Sequence, residues 1–230
     1  MINAAKYNIC LKETKKILKD YQLSKQIYDK KGIFSKNYYD VCLDDNISEI
    51  YTVSIKNFDY DILLFDDSII QFSYRKADNN YPILRYAYYQ NPFDVPAYEE
   101  YLQLNLGIPI PDFFSRVLEE EYEQLVAEAP PNLNAVALRY DFSIREYTSG
   151  IHPVSHIHIG IGNSIRIPTN LYLTPTVFII FVLKQIYYDT WIELLENESF
   201  KKVFHSCKKI CEQLENEYFM ESDKAELFLS

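Results

Sequence analysis

Two histidines separated by one residue are the strongest candidates for chemistry in the sequence. His156 and His158 lie in the segment HIHIG, residues 156–160. Side chains two residues apart on a β-strand point to the same face, so a strand here brings both imidazoles together. Such a pair can exchange protons near neutral pH, since the unperturbed pKa of histidine is about 6.5. It can also supply two metal ligands, but it fixes no third ligand, and we assign no metal site from it.

A second candidate strand precedes the histidine pair and brings arginine and aspartate beside it. The segment VALRYDFSIREY, residues 136–147, alternates polar and apolar side chains with the period of a half-buried strand. If this strand pairs with HIHIG through a turn at about 148–153, its polar side chains lie on the histidine face. The segment SIRIP, residues 164–168, then adds a third strand. The polar residues of these two segments include Arg139, Asp141, Ser143, Arg145 and Arg166.

This combination of side chains suits a phosphodiester substrate, because guanidinium groups bind phosphate through paired hydrogen bonds and imidazoles move protons. One imidazole would act as the base and the other as the acid, while an arginine stabilises charge that develops on the phosphate. The predicted catalytic residues are His156, His158, Arg139 and Asp141, and the predicted substrate-binding residues are Arg145, Arg166 and His152. The alternative is structural, since polar residues on one face of an antiparallel sheet commonly form its solvated side.

Composition indicates a folded and acidic protein. The chain has 230 residues, a hydrophobic fraction of 48% and an aromatic fraction of 16%, which is ample for a packed core and excludes a disordered class. We expect a single domain over residues 1–230. The formal net charge of -10 repels phosphate backbones and anionic lipid on average, so binding of nucleic acid requires a local basic surface.

Cysteine usage and apolar runs predict a cytoplasmic protein with no membrane contact. The four cysteines include no CxxC pair and are interpreted as buried thiols in a reducing compartment. The longest apolar run, VFIIFVL at 177–183, is far shorter than the roughly 20 residues that a membrane span needs. No P-loop or dinucleotide fingerprint occurs, and the sequence assigns no cofactor.

The order of predicted elements indicates an α+β fold in which a mainly antiparallel sheet is covered by helices, with helical N- and C-terminal segments. Helix formers dominate 2–29, β-branched and aromatic residues in short runs begin at about 48, and residues 60–90 are typical of a β-meander. Helices are expected over 94–106 and 111–129, and a second β region over 135–167. Thr174 and Pro175 mark the start of a buried helix that extends to about 196. A final helical stripe spans 200–218.

Four segments in a fixed order carry a family resemblance: LRYDFSI, HPVSHIHIG, RIP and a proline-capped helix containing FIIFVLKQIYY. In this order they resemble an uncharacterised bacterial family known as a domain of unknown function, whose members are sometimes found beside antiviral defence genes. The RYD segment followed by paired histidines is also similar to small toxin-like proteins presumed to be ribonucleases. The positions that match in that comparison are Arg139, Asp141, His156 and His158.

Two functions follow as expectations. The first is a nuclease-like effector of an antiviral defence or toxin-type system that acts on a phosphodiester. The second is a non-catalytic, protein-binding subunit of a defence complex in which the histidines are structural. The clustering of arginine and histidine favours the first, and the acidic net charge favours the second. The expected partners are a second protein or another copy of the chain, with nucleic acid as the possible substrate.

Overall fold

A computed structural model describes residues 3–30, 32–44, 46–76, 81–96, 98–106, 118–161 and 165–230. Contacts between residues divide the chain into two compact units, one made of residues 1–90 and 136–230 and the other of residues 91–135. A single domain over residues 1–230 therefore stays a prediction. No helix in the described ranges is long and apolar enough to cross a membrane.

The first unit is built on a seven-stranded sheet in which every neighbouring pair is antiparallel and the strands follow their order in the chain. This confirms the predicted antiparallel sheet and the meander over 60–90. The strands are β1 Ser24–Ile27, β2 Ile62–Leu64, β3 Ile69–Lys76, β4 Pro82–Tyr89, β5 Ala137–Phe142, β6 Ser155–Ile159 and β7 Arg166–Pro168. A separate two-stranded sheet joins β8 Leu171–Tyr172 to β9 Glu212–Gln213.

Helices precede, interrupt and follow the strands of the sheet along the chain, in agreement with the predicted α+β fold. Their bounds are α1 Ala4–Asp20, α2 Lys36–Val41, α3 Ile47–Lys56, α4 Tyr98–Leu106, α5 Glu119–Glu128, α6 Pro175–Ile186, α7 Tyr188–Glu196, α8 Glu198–Cys207 and α9 Glu221–Lys224. The start of α6 is the predicted one, because Thr174 caps it by accepting a hydrogen bond from the Val177 amide and Pro175 occupies its first turn.

One face of the sheet is apolar and forms the core of the first unit. Phe72, Tyr86 and Tyr140 lie on this face and are fully buried. The ring of Phe178 from α6 packs on it, with its centroid 5.8 Å from that of Tyr86 and 6.4 Å from that of Phe72. Side chains alternate along each strand, so the opposite face receives the polar residues of β3, β4, β5 and β6. That polar face carries the candidate site.

Several predicted helix bounds are wrong, and in each case a local or tertiary contact explains the difference. The chain leaves α1 at Asp20 because β1 pairs with β2 rather than continuing a helix to residue 29. Residues 47–56, where the β region was expected to begin, form α3 because the Asn46 side chain accepts hydrogen bonds from two amides of its first turn. The last helical stripe ends at Cys207, and β9 pairs with β8.

The long helix expected after Thr174 is divided at Tyr187 into α6 and α7. The Tyr187 hydroxyl donates a hydrogen bond to Asp66 Oδ2 at 2.8 Å and lies 3.0 Å from the Tyr88 hydroxyl. These contacts hold Tyr187 in a non-helical conformation, with φ of -113° and ψ of 62°. A tertiary anchor of this kind leaves no signal in the periodicity of the sequence.

The second unit, residues 91–135, contains α4 and α5. The Tyr122 ring of α5 packs on Tyr98 and Tyr101 of α4, with centroid distances of 5.0 and 5.2 Å, and its hydroxyl donates a hydrogen bond to the Pro96 carbonyl. A bridge between Phe93 and Pro131 joins the ends of the unit. The segment 107–117, which covers the first part of the helix predicted over 111–129, lies outside the described residues.

Candidate functional site

Strand register brings the predicted polar residues together on the sheet face opposite the core. In the β5–β6 pair, Arg139 lies opposite His158 and Asp141 lies opposite His156. On the other side of β6, Arg166 of β7 also lies opposite His158. The predicted pairing of these three strands is therefore confirmed. Because residues directly opposite on antiparallel strands are close neighbours, the register alone places an imidazole beside each of these groups.

The side chains of Asp141, His156 and His158 form a tight cluster. The Nε2 atom of His158 lies 2.9 Å from Nε2 of His156 and 3.2 Å from Oδ2 of Asp141. Arg139 donates a hydrogen bond from Nε to the same Oδ2 atom at 2.8 Å. The exposed fraction is 2% for His156 and 3% for His158, so bulk water does not separate these groups.

The backbone contact of His156 determines where its proton lies. Nδ1 of His156 is 2.8 Å from the Pro153 carbonyl oxygen, and a carbonyl only accepts, so this nitrogen carries the hydrogen. The Nε2 atom of neutral His156 then presents its lone pair to His158 and Asp141. A hydrogen on Nε2 of His158 therefore stands between two acceptors, the His156 lone pair and the Asp141 carboxylate, and a metal cation could take the place of that hydrogen.

The environment of the cluster lowers the pKa of both Asp141 and His156. This favours the ionised form of the carboxyl and the neutral form of the imidazole. Burial would raise the pKa of Asp141, but the hydrogen bond from His158 and the charges of Arg139 and Arg85 lower it to about 2. Burial, followed by the neighbouring His158, lowers the pKa of His156 to about 4. At neutral pH the cluster thus holds an ionised carboxylate and a neutral His156.

A cavity of about 580 Å³ opens over this polar face. Among the described residues, four arginines and two carboxylates line it, so this part of its wall is positive within a chain whose net charge is -10. Aromatic side chains from α2 and the segment before it also line the cavity. The lining residues that carry these properties are Arg75, Arg85, Arg139, Arg166, Asp141, Glu146, His152, His158, Phe34, Tyr38 and Tyr39.

The arginines of the cavity differ in how far their charges are matched. Arg85 lies 3.8 Å from Asp141 and 3.7 Å from Glu146. Arg75 donates to the Tyr39 hydroxyl, and its guanidinium lies 5.7 Å from the centroid of that ring. Arg166 has no ion pair with any carboxylate in the described part of the chain, and its buried Nε has no hydrogen-bond partner there. Its guanidinium is available to an anionic ligand.

The structure places the predicted site residues in three groups. Five line the cavity: His152, His158, Arg139, Asp141 and Arg166. His156 contacts His158 through its Nε2 atom and is not among the described residues that line the cavity. Arg145 is exposed on the 3₁₀ helix Ile144–Glu146, outside the cavity, because the chain leaves the strand after Phe142 and the two-residue alternation stops.

Sequence reasoning missed the arginines that the meander contributes. Arg75 of β3 and Arg85 of β4 enter the cavity because β4 pairs with β5 and continues its polar face. The alternation of β3 placed Arg75 on the polar face of its own strand. That pattern does not specify the strand order β3-β4-β5-β6, which puts Arg75 on the same sheet face as the histidines. Tyr38 and Tyr39 were also missed, since α2 is short and its packing over the sheet is tertiary.

A comparison with protein families identifies the chain. The family described as "Uncharacterized conserved protein (DUF2290)" matches residues 4–222. The chain belongs to this family. The match confirms the resemblance to a family of unknown function, and it spans the whole cavity of this DUF2290 protein. None of the curated proteins and none of the solved structures matches the chain.

Proposed function

We propose that this DUF2290 protein cleaves a phosphodiester in the cavity over the polar sheet face. The observation that carries the proposal is the convergence of four arginines with His152 and His158 on one wall, in a chain whose overall charge is negative. Guanidinium groups bind phosphate oxygens through paired hydrogen bonds. A local basic wall of this kind attracts a phosphate group even though the net charge of the chain is negative.

The arginines supply the binding part of the reaction. Arg166 is the first candidate for contact with a phosphate oxygen, because no carboxylate in the described ranges pairs with it. Arg75 and Arg85 extend the positive surface along β3 and β4. Guanidiniums fixed on neighbouring strands stabilise charge on the transferring phosphate without rearranging during the reaction.

The cluster of Asp141, His156 and His158 supplies the reactive part. His158 lines the cavity, while its Nε2 atom contacts both other members of the cluster. Asp141 stabilises positive charge at this position, and His156, tied to the Pro153 carbonyl, fixes the orientation of the His158 ring. His156 is thus a positioning residue, and His158 is the imidazole that meets the substrate.

The histidine pair is not arranged as a purely structural pair would be. Of its four ring nitrogens, Nδ1 of His156 bonds to backbone, the two Nε2 atoms contact each other, and Nδ1 of His158 has no hydrogen-bond partner among the described residues. A buried imidazole nitrogen without a partner costs desolvation free energy and needs an explanation. The pair therefore has an unfilled hydrogen-bonding position, which a purely structural pair would not leave.

The aromatic part of the wall favours a nucleic-acid phosphodiester over other phosphate esters. Phe34 lies in the segment before α2, and its ring centroid is 5.1 Å from that of Tyr38. Tyr39 lines the same cavity with 40% of its surface exposed. Aromatic side chains beside arginines stack unpaired bases in single-stranded nucleic acid. We therefore propose single-stranded RNA or DNA as the substrate class.

The test is a cleavage assay on end-labelled single-stranded RNA and DNA oligonucleotides with the full chain, run with added Mn²⁺, with added Zn²⁺ and with chelator. The wild type is compared with His158→Ala and with His205→Ala, which removes an exposed histidine of α8. We expect product from the wild type and His205→Ala, and none from folded His158→Ala. Equal product from all three proteins, or none from any, would contradict the proposal.

The defence role that the family resemblance implies is a second part of the proposal. Its test is the plating efficiency of phage on bacteria that express the wild type or His158→Ala at equal levels. We expect protection that depends on His158. Protection that survives the substitution would instead support the non-catalytic subunit of a defence complex.

A further inference from the structure

We propose that Asp141, His156 and His158 bind one divalent transition-metal ion of the Zn²⁺ class. Each residue offers one ligand atom, and these three atoms lie within 4.8 Å of one another. They come from the neighbouring strands β5 and β6 of the sheet, where Asp141 is paired directly with His156. Two imidazoles and one carboxylate are the protein ligands of many open catalytic sites for zinc and for other first-row metals.

The distances in the cluster fit an ion with small adjustments. The two Nε2 atoms are 2.9 Å apart, and His158 Nε2 is 3.2 Å from Asp141 Oδ2. An ion with metal–nitrogen bonds of about 2.0–2.1 Å and tetrahedral angles separates its ligand atoms by about 3.3 Å. These two separations therefore need to grow by only a few tenths of an ångström, and the ligand atoms of all three residues already lie within 4.8 Å of one another.

The contacts around the cluster are those that orient metal ligands. A ligating histidine commonly donates its other ring N–H to a carbonyl or carboxylate, and His156 does so to the Pro153 carbonyl through Nδ1. Arg139 donates to Asp141 Oδ2, while the buried Oδ1 of Asp141 accepts no hydrogen bond from the described residues. A carboxylate oxygen has two lone pairs, so Asp141 can keep its hydrogen bond from Arg139 and still bind the ion through Oδ2, which already faces His158.

The position of the cluster indicates an open site rather than a closed structural one. Asp141 and His158 line the cavity, so one side of the cluster faces the space where a ligand would bind. Structural zinc sites close all four positions with protein side chains, whereas catalytic sites use three and leave one for water or substrate. The nitrogen ligands exclude Mg²⁺ and Ca²⁺ as the expected ions, because both prefer oxygen.

Positive charge near the cluster does not prevent binding. Arg139 is paired with Asp141, and the nearby Arg85 is 57% exposed, so solvent screens its charge. The inference deepens the proposed function by naming a cofactor for its cavity: with an ion bound, His158 would serve as a ligand rather than as a proton carrier, and the ion would supply the activated water. Metal binding itself requires no phosphodiester cleavage. The two claims can therefore fail separately.

The experiment is a calorimetric titration of the metal-stripped full chain with Zn²⁺, with Mg²⁺ as the reference ion. We expect one equivalent of Zn²⁺ to bind and Mg²⁺ not to bind. Loss of an outer contact to a ligand already weakens metal sites by about 10–100-fold, so Asp141→Asn and His158→Ala should each weaken Zn²⁺ binding by at least that factor. His205→Ala, which removes one exposed imidazole, should bind as the wild type does.

Folding of the variants is checked by circular dichroism, and Asp141→Asn decides the outcome if His158→Ala does not fold, because it preserves the shape of the side chain. Absence of a one-equivalent Zn²⁺ site in the wild type, or unchanged affinity in Asp141→Asn, would overturn the inference. Zn²⁺ binding without any cleavage would preserve the metal site and remove the proposed function. Cleavage by a protein that binds no Zn²⁺ would preserve the proposed function and rule out the metal site.

Discussion

His156 and His158 meet through their Nε2 atoms, which lie 2.9 Å apart on the same face of β6. His156 donates a hydrogen bond from Nδ1 to the Pro153 carbonyl, so its Nε2 atom has a lone pair that faces His158. Asp141 lies at the same point, 3.2 Å from His158. The pair is thus one unit with the carboxylate, and of the two histidines only His158 is among the described residues that line the cavity.

Removal of Arg166 should weaken binding of a labelled single-stranded oligonucleotide. A hydrogen bond to a charged group contributes about 1.5–3 kcal/mol, which corresponds to about 10–100-fold in the dissociation constant. Fluorescence anisotropy on Arg166→Ala should show this loss. Arg145→Ala is the charge-matched control, since Arg145 is exposed and outside the cavity, and its affinity should stay within about twofold of the wild type. Equal losses in both variants would indicate unspecific charge attraction.

The Tyr140 hydroxyl fixes the sheet to the segment that enters α6, so Tyr140→Phe should destabilise the fold. This buried hydroxyl lies 2.9 Å from Ser155 Oγ and accepts a hydrogen bond from the Leu173 amide at 3.1 Å. Its loss leaves the amide unpaired, and the free energy of unfolding in urea should fall by about 1–3 kcal/mol. Tyr188→Phe, at a residue that is 66% exposed, should change it by less than about 0.5 kcal/mol. A Tyr140→Phe value equal to that control would show that the hydrogen bonds are not stabilising.

Burial of Asp61 should make stability depend on pH. Burial raises the pKa of Asp61 to about 6, against the hydrogen bonds from the Phe72 and Lys30 amides and the charge of Lys15. A raised folded-state pKa favours the protonated carboxyl, so the contribution of this group is fully present below the unfolded pKa of about 3.9 and is lost as pH rises through about 6. Relative to Asp61→Asn, the wild type should therefore lose up to about 3 kcal/mol in unfolding free energy between pH 4 and 7.

The measurement is a series of urea titrations on both proteins across that pH range. Carboxylates shared by the two proteins cancel in the difference, which isolates Asp61. A difference that does not change with pH would show that the two amide hydrogen bonds hold Asp61 ionised throughout.

Much of the candidate site could be predicted from strand alternation. The two-residue period placed Arg139, Asp141, His156 and His158 on one face, and the short turn between the segments predicted their pairing. Arg166 followed from the next strand. These residues are close in the chain, so local pattern was sufficient to locate them. The contact of His156 with the Pro153 carbonyl, which separates the roles of the two histidines, depends on backbone geometry that the pattern does not specify.

The rest of the site depends on long-range contacts. Arg85 reaches Asp141 only because β4 pairs with β5, and 47 residues separate the two strands in the chain. Arg145 was assigned to the face on the assumption that alternation continues, whereas the chain turns into a 3₁₀ helix at Ile144. The division of the long helix at Tyr187 likewise depends on Asp66, far away in sequence. Local propensity cannot report contacts of this range.

The single-turnover rate of oligonucleotide cleavage tests the central claim most directly. General acid–base groups contribute about 10²–10⁴-fold to enzymatic rates. We predict that folded His158→Ala is at least about 100-fold slower than the wild type. The matched His205→Ala protein should cleave at the wild-type rate. A wild type that cleaves no oligonucleotide, or a folded His158→Ala protein that cleaves as fast as the wild type, would contradict the account.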